Sequence, residues 1–287
     1  TRPRDFLERI VHRERDRALT ARTSLTLKQD AYLLDHEVRG AFLLPGVFAL
    51  EAMAQGVALL AGRETLLPVR LSDVSFRRPV EVNAESPHEL EIRVQRSEDE
   101  VYDVEVRSEV DGFARAVFSA RFALNAAPQG KPEIASWSGP ALDADPRQGG
   151  LYGRWLFQGP AFRAIETVHG LDDGFAETTL VVDRAPRWAL GDPFARDSLL
   201  QTCQLAVLPN FCLPVTVANW AMGAIEAGAP VVGRAKRTRL ALPDLALDAE
   251  LCQGDQVVVR MTGFGVRRIG MLPVSVQSRP AVSAVVD

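Results

Sequence analysis

Residues 41–62 read AFLLPGVFALEAMAQGVALLAG. From Pro45 to Leu60 the apolar side chains recur at helical spacing and cover almost every face, so the stretch predicts a helix buried on all sides. Pro45 stands where a first helical turn tolerates a residue without an N–H, and Gly62 is a natural terminator. The two polar exceptions, Glu51 and Gln55, lie one turn apart and read as a buried polar pair rather than as a second acid.

Beyond the helix the period changes to two. VRLSDVSFRRPVEV (69–82), HELEIRVQRS (88–97), YDVEVRSEV (102–110) and ARAVFSARFAL (114–124) are four strand candidates with turn residues between them, an antiparallel meander. Upstream, residues 23–30 alternate like a strand and 31–40 read as a loop. Residues 1–22 are charge-dense and read as a surface segment or short helix leading in. Residues 126–150, rich in Pro, Gly, Ala and Asp, read as a linker.

The second half repeats this order. Strand-like AETTLVVD (176–183) precedes an apolar helical stretch, FARDSLLQTCQLAVL (194–208). Further strands are predicted at RTRLALP (237–243), AELCQGDQVVVRMTG (249–263), VRRIGMLPVSVQS (266–278) and PAVSAVV (280–286). A buried helix followed by an antiparallel sheet, twice over, is an internal duplication. The fold expected is therefore α+β, a double hotdog. A first unit over 23–125 and a second over 151–287 each wrap a curled sheet around a central helix, and the two pair within one chain.

With 287 residues, 47% hydrophobic and 24% charged, the chain has the composition of an ordinary globular protein. A net charge of −4 with mixed signs gives no footprint for nucleic acid. No apolar run approaches the roughly 18–20 residues that span a bilayer, and no signal-peptide core is present, so the cytoplasm is the expected compartment. Cys203, Cys212 and Cys252 form no CxxC pair and read as buried reduced thiols. The four histidines fall in neither HExxH nor HxH spacing, so no metal site is expected. The opening Thr-Arg-Pro suits a piece of a longer polypeptide.

The strongest chemical signal is His36-Glu37-Val38-Arg39-Gly40-Ala41-Phe42-Leu43-Leu44-Pro45, an HxxxGxxxxP pattern directly before the buried helix. Average residue usage gives about 0.01–0.02 such matches by chance for four histidines. A histidine in an apolar pocket is a neutral base at working pH. Gly40 permits a turn that brings the loop close to a ligand. Pro45 and Gly46 open a helix whose free N–H groups suit an oxygen gaining negative charge. On spacing alone, a hydrogen-bonded loop histidine is an equal reading.

The second signal is Asp197 with Gln201 four residues on, which places both on one helix face. Asp197 reads either as the cap of the second helix or as a carboxyl whose pKa an apolar site raises until it donates a proton.

Together, HxxxGxxxxP in the first half and DxxxQ in the second resemble the signature of polyketide synthase dehydratase domains. LLPGVFALEAMAQ is similar to the central helix of bacterial hydroxyacyl-carrier-protein dehydratases. Gly159-Pro160-Ala161-Phe162 (GPxF) and Leu213-Pro214-Val215 agree, and the likeness runs from about Thr23 to Asp287. The resemblance implies a hydro-lyase that removes water from a β-hydroxyacyl thioester. His36 would take the C2 proton, Asp197 would protonate the leaving hydroxyl, Gln201 would orient Asp197, and the Gly46 N–H would hold the thioester oxygen. Gly40, Pro45, Gly159, Pro160 and Phe162 would help to bind substrate.

The same likeness implies that the domain binds no cofactor of its own. The substrate would arrive on the phosphopantetheine of an acyl carrier protein, amid neighbouring synthase domains. A homodimer is left open, as are double-bond isomerisation, cyclisation or an acyl-binding docking role at the same site. One position departs from the pattern, since Gln158 stands where the family usually has Tyr, which puts the handling of substrate in doubt.

His88 and His169 sit in polar, turn-like contexts and read as solvated. Gly263, Gly265 and Gly270 do not make a dinucleotide fingerprint, because no βαβ unit surrounds them. Arg234, Lys236, Arg237 and Arg239 read as one solvated sheet face or as a contact for an acidic carrier protein.

Overall fold

The computed structural model describes residues 4–139, 151–180, 182 and 188–272. In chain order the first half contributes β1 (Arg9–Glu14), β2 (Ala18–Leu25), a small hairpin of β3 (Glu37–Val38) and β4 (Ala41–Phe42), and the helix α1 (Gly46–Ala61). It continues with β5 (Val69–Phe76), β6 (His88–Glu98), β7 (Val101–Ser108) and β8 (Ala116–Leu124). The second half contributes β9 (Ile165–Asp172), β10 (Phe175–Leu180), the helix α2 (Pro193–Ala206), β11 (Asn210–Met222), β12 (Val231–Ala241), β13 (Asp244–Gln253) and β14 (Gln256–Met271).

One continuous antiparallel sheet carries the order β1-β2-β6-β7-β8-β5-β11-β14-β13-β12-β10-β9. Read outward from the centre, β5-β8-β7-β6-β2-β1 mirrors β11-β14-β13-β12-β10-β9, and β5 pairs with β11 where the halves meet. This is the double hotdog. α1 lies against β6, β7 and β2, and α2 against β12, β10 and β13. α1 is buried on nearly every face, as its composition predicts, with Phe48, Leu50, Met53 and Val57 at most 1% exposed. It begins after Pro45 and ends at Gly62, whose left-handed φ of 67° lets its N–H reach the Ala58 carbonyl.

Several elements differ from the sequence reading. Residues 9–14 and 18–25 are strands, not a surface segment or short helix. β1 is exposed at every position and so lacks the alternation that betrays a strand. β2 alternates strictly, but partly through Ala21 and Thr23, which carry little hydrophobic signal. β6, β7 and β8 form a meander, whereas β5 leaves it to pair with β8 and β11. β9 and β11 were not expected at all. β14 runs unbroken through Gly263 and Gly265, where two separate strands were expected. The strand expected over 280–286, and most of 266–278 beyond Leu272, lies outside the described residues.

The segment after β8 lies across the second half rather than free of it. The Glu133 and Ile134 N–H groups donate to the Glu250 carboxylate, and the Trp137 N–H donates to Glu177. His88 and His169 are half-buried strand residues bonded to the Ser108 and Thr179 hydroxyls, not solvated turn residues. Within the basic cluster, Arg234 pairs with Glu177 and Arg237 with Asp173, while Lys236 and Arg239 are exposed. Among the described residues no helix is long and apolar enough to cross a membrane.

Candidate active site

His36 follows a short 3-10 turn over Ala31–Asp35 and precedes the β3–β4 hairpin. Arg39 and Gly40 form the hairpin tip with φ of 53° and 85°, the left-handed pair that a two-residue turn requires. The hairpin folds Leu43 back onto His36: the Leu43 N–H donates to the His36 carbonyl at 3.2 Å, and His36 Nδ1 meets the Leu43 carbonyl at 2.9 Å. A carbonyl only accepts, so Nδ1 carries the proton and Nε2 is left with its lone pair. The ring packs edge-on to Phe157 and tilted against Phe162, at centroid distances of 5.0 and 5.5 Å. Burial in this aromatic setting lowers its pKa to about 4, so the imidazole is neutral at neutral pH.

Asp197 lies one turn into α2. The cap of that helix is Asp192, whose side chain accepts the Phe194 N–H at 2.9 Å, so the capping reading of Asp197 falls away. Asp197 is 3% exposed. Its Oδ2 accepts Gln201 Nε2 at 2.8 Å. Gln201 also donates to the Phe162 carbonyl at 2.9 Å and accepts the Tyr152 hydroxyl at 2.9 Å. Burial raises the Asp197 pKa to about 6, against the side-chain hydrogen bonds of Gln201 and Gln158, which lower it. The group thus holds its proton at a higher pH than an ordinary carboxyl.

His36 from the first half and Asp197 from the second line the same pocket, together with Leu43, Gly46, Phe157 and Gln158. Gly46 opens α1, so its N–H is one of the four without an intrahelical acceptor. A Cβ there would lie 2.8 Å from the Phe76 ring, so the backbone is bare where it meets the pocket.

Gly40, Pro45, Gly159, Pro160 and Phe162 are not among the residues that line the pocket. Gly40 is at the exposed hairpin tip, and Pro45 precedes α1, where its carbonyl accepts the Phe48 and Ala49 N–H groups. The GPxF segment ties the halves together instead. The Gly159 N–H donates to the Asp35 carbonyl, the Ala161 N–H to the Asp35 carboxylate, and the Phe162 carbonyl holds Gln201.

Glu51 and Gln55 are bonded to each other at 3.2 Å. Glu51 accepts the Ala189 and Leu190 N–H groups at 2.8 and 2.9 Å, outside the pocket, and burial raises its pKa to about 7. Sequence reasoning missed Asp35, Tyr152 and Phe157. Asp35 and Tyr152 meet their partners across 126 and 49 residues, with no local pattern to betray them. Among the described residues, no group of three or more His, Cys, Asp or Glu side chains is placed to hold a metal ion.

A carboxyl that keeps its proton up to about pH 6 and an imidazole that stays neutral down to about pH 4, facing one mostly apolar pocket beside a helix N-terminus, can move two protons on an apolar substrate while an oxygen gains charge. A family model described as "Polyketide synthase dehydratase domain" matches residues 5–109, and one described as "Polyketide synthase dehydratase N-terminal domain" matches residues 128–275. A polyunsaturated fatty acid synthase protein of Thraustochytrium sp. (strain ATCC 26185 / S-3) is 30% identical over 155 residues, 52% of this chain; the match spans only 5% of that protein's length.

Among solved structures, the dehydratase domain of RzxB from Pseudomonas fluorescens superposes with a TM-score of 0.73 at 17% identity, covering 91% of this chain and 98% of its own. An isomerase-inactive variant of GphF DH1 gives 0.72 at 18%, covering 99% and 100%. A histidine-to-phenylalanine inactive mutant of the CurK dehydratase gives 0.72 at 18%, covering 92% and 96%. At such identities the superpositions speak for the fold.

Proposed function

The chain belongs to the polyketide synthase dehydratase family, and we propose that it removes water from a β-hydroxyacyl thioester to give the α,β-unsaturated thioester. The observation that carries this is the meeting of His36 and Asp197 in one pocket with protonation states set apart, the base's pKa at about 4 and the acid's at about 6.

His36 Nε2 takes the C2 proton, and the electron pair of that C–H bond becomes the C2–C3 double bond. The C3–O bond breaks with its pair going to oxygen, which takes the Asp197 proton and leaves as water. Charge developing on the thioester oxygen meets the Gly46 N–H at the positive end of α1. Proton transfer from His36 back to Asp197 restores both groups. No electrons are gained or lost, so the reaction calls for no redox cofactor, and His36 and Asp197 between them carry both proton transfers. The apolar lining suits an acyl chain, delivered in the cytoplasm on the phosphopantetheine of an acyl carrier protein by neighbouring synthase domains. Gln201 orients Asp197, and the GPxF segment holds Gln201.

The test is mass spectrometry of β-hydroxyacyl thioesters of both hydroxyl configurations on a carrier protein, with wild type run beside His36→Ala and Asp197→Asn. Loss of one water in wild type, reduced about 10²–10⁴-fold in each variant, is the expected result. Turnover that survives His36→Ala sinks the mechanism. If wild type loses no water from any substrate, isomerisation, cyclisation or a docking role takes its place.

A further inference from the structure

Gln158 lines the pocket beside His36 and Asp197 and is only 5% exposed. Its side-chain amide neighbours the Asp197 carboxyl and lowers its pKa. Its Oε1 is buried and has no hydrogen-bond partner among the described residues. A buried acceptor without a donor is costly. In a ligand pocket the missing donor can come from the ligand, and a site built this way rejects a ligand that lacks it.

Resting on the dehydratase reading, we propose that Gln158 Oε1 accepts the O–H of the substrate's β-hydroxyl, making Gln158 the residue that selects hydroxyl-bearing acyl groups and aims their oxygen at Asp197. On a simple β-hydroxyacyl thioester this hydroxyl is the one donor between the thioester carbonyl and the end of the chain. Its hydrogen goes to Oε1, which leaves the oxygen lone pairs for the Asp197 proton. The enoyl product has no O–H at C3, so Oε1 is orphaned again once water departs, which favours product release.

The experiment measures binding of β-hydroxybutyryl-pantetheine and butyryl-pantetheine to the His36→Ala chain, which leaves Asp197 and Gln158 in place and stops turnover. The hydroxylated ligand should bind about tenfold tighter, the worth of one hydrogen bond. Adding Gln158→Met, similar in shape but without the acceptor, should abolish the preference. Gln158→Glu, which keeps an acceptor oxygen, should retain it.

A preference that survives Gln158→Met overturns the proposal. So does the absence of any preference with Gln158 present, or equal loss of both ligands in the Met and Glu variants, which marks a merely structural residue. Water loss by the wild-type chain is followed separately by mass spectrometry. Failure there sinks the dehydratase reading, while the ligand preference still judges Gln158.

Discussion

Asp35 and Gly159 are in direct contact across the two halves: the Gly159 N–H donates to the Asp35 carbonyl at 2.8 Å, and a Cβ on Gly159 would lie 2.1 Å from Asp35 Oδ1. His36 is the next residue along one strand of this contact, and Phe162, which holds Gln201, is three residues along the other. The contact therefore sets the separation of His36 and Asp197. Gly159→Ala forces the segments apart, because the Asp35 Cα itself stands 2.8 Å from the new carbon. Activity should fall about 10²-fold, the effect of misplacing a catalytic group by roughly an ångström, and the fold should lose about 1–3 kcal/mol. Steady-state rates beside thermal melts check both; an alanine variant as active as wild type would show that the contact does not set the site.

Gln201 spends its amide on three partners, Asp197, Phe162 and Tyr152. In Gln201→Leu each loses a bond, and Asp197 loses a donor that lowers its pKa. Turnover should drop at least tenfold, and the high-pH limb of the rate profile should move upward as the acid keeps its proton longer. Tyr152→Phe should shift the limb less, since Gln201 keeps its bond to Asp197. A limb that stays put in Gln201→Leu, measured as kcat/KM against pH, contradicts the orienting role.

Most of this site was legible in the sequence because its chemistry is local. HxxxGxxxxP carries His36, the turn that folds Leu43 onto it, and the start of α1; the Asp197–Gln201 spacing places both side chains on one helix face, where they are bonded. What escaped reading depends on distant parts of the chain. β11 contains Pro214, which argues against a central strand. It is accommodated at a bulge between Pro214 and Thr216, just where pairing with β5 begins. β1 is exposed throughout, and nothing in its composition distinguishes an edge strand from a charged surface segment. Asp35 carries no mark of its role because its partner is 126 residues away. Gln158 was visible only as a departure from a pattern, and its meaning came from the unpartnered Oε1.

Glu51 joins α1 to the approach of α2 by accepting the Ala189 and Leu190 N–H groups. Glu51→Leu orphans both donors, at about 1–3 kcal/mol each. Denaturant unfolding should show a stability loss in that range or above it, with Glu51→Gln losing less because one acceptor remains. Equal stability of Glu51→Leu and wild type would mean that water replaces the carboxylate.

Activity should be greatest at mildly acid pH. The reaction needs His36 neutral, which holds above about 4, and Asp197 protonated, which holds below about 6. The kcat/KM profile should therefore rise through the first value and decline through the second. In Asp197→Asn, the residual rate should lose the decline. A wild-type profile still rising through pH 7 (about the ordinary histidine range) would contradict both assignments.

The same two groups pull stability in opposite directions. Asp197 has its pKa raised from 3.8 to about 6 on folding, so its contribution is most favourable at low pH and is lost as pH rises through that interval. His36 has its pKa lowered from 6.5 to about 4, so its contribution is full above the unfolded value and is lost as pH falls toward the folded one. In wild type the two slopes largely cancel between about pH 4 and about pH 6. Asp197→Asn removes one slope, so its stability relative to wild type should grow by about 1–3 kcal/mol as pH rises through this range. His36→Ala, set against wild type, should change in the opposite sense by a similar amount. Urea unfolding of the three proteins at about pH 4 and about pH 7 reads both effects, and variants whose differences from wild type do not change with pH would show that neither group is held away from its ordinary pKa.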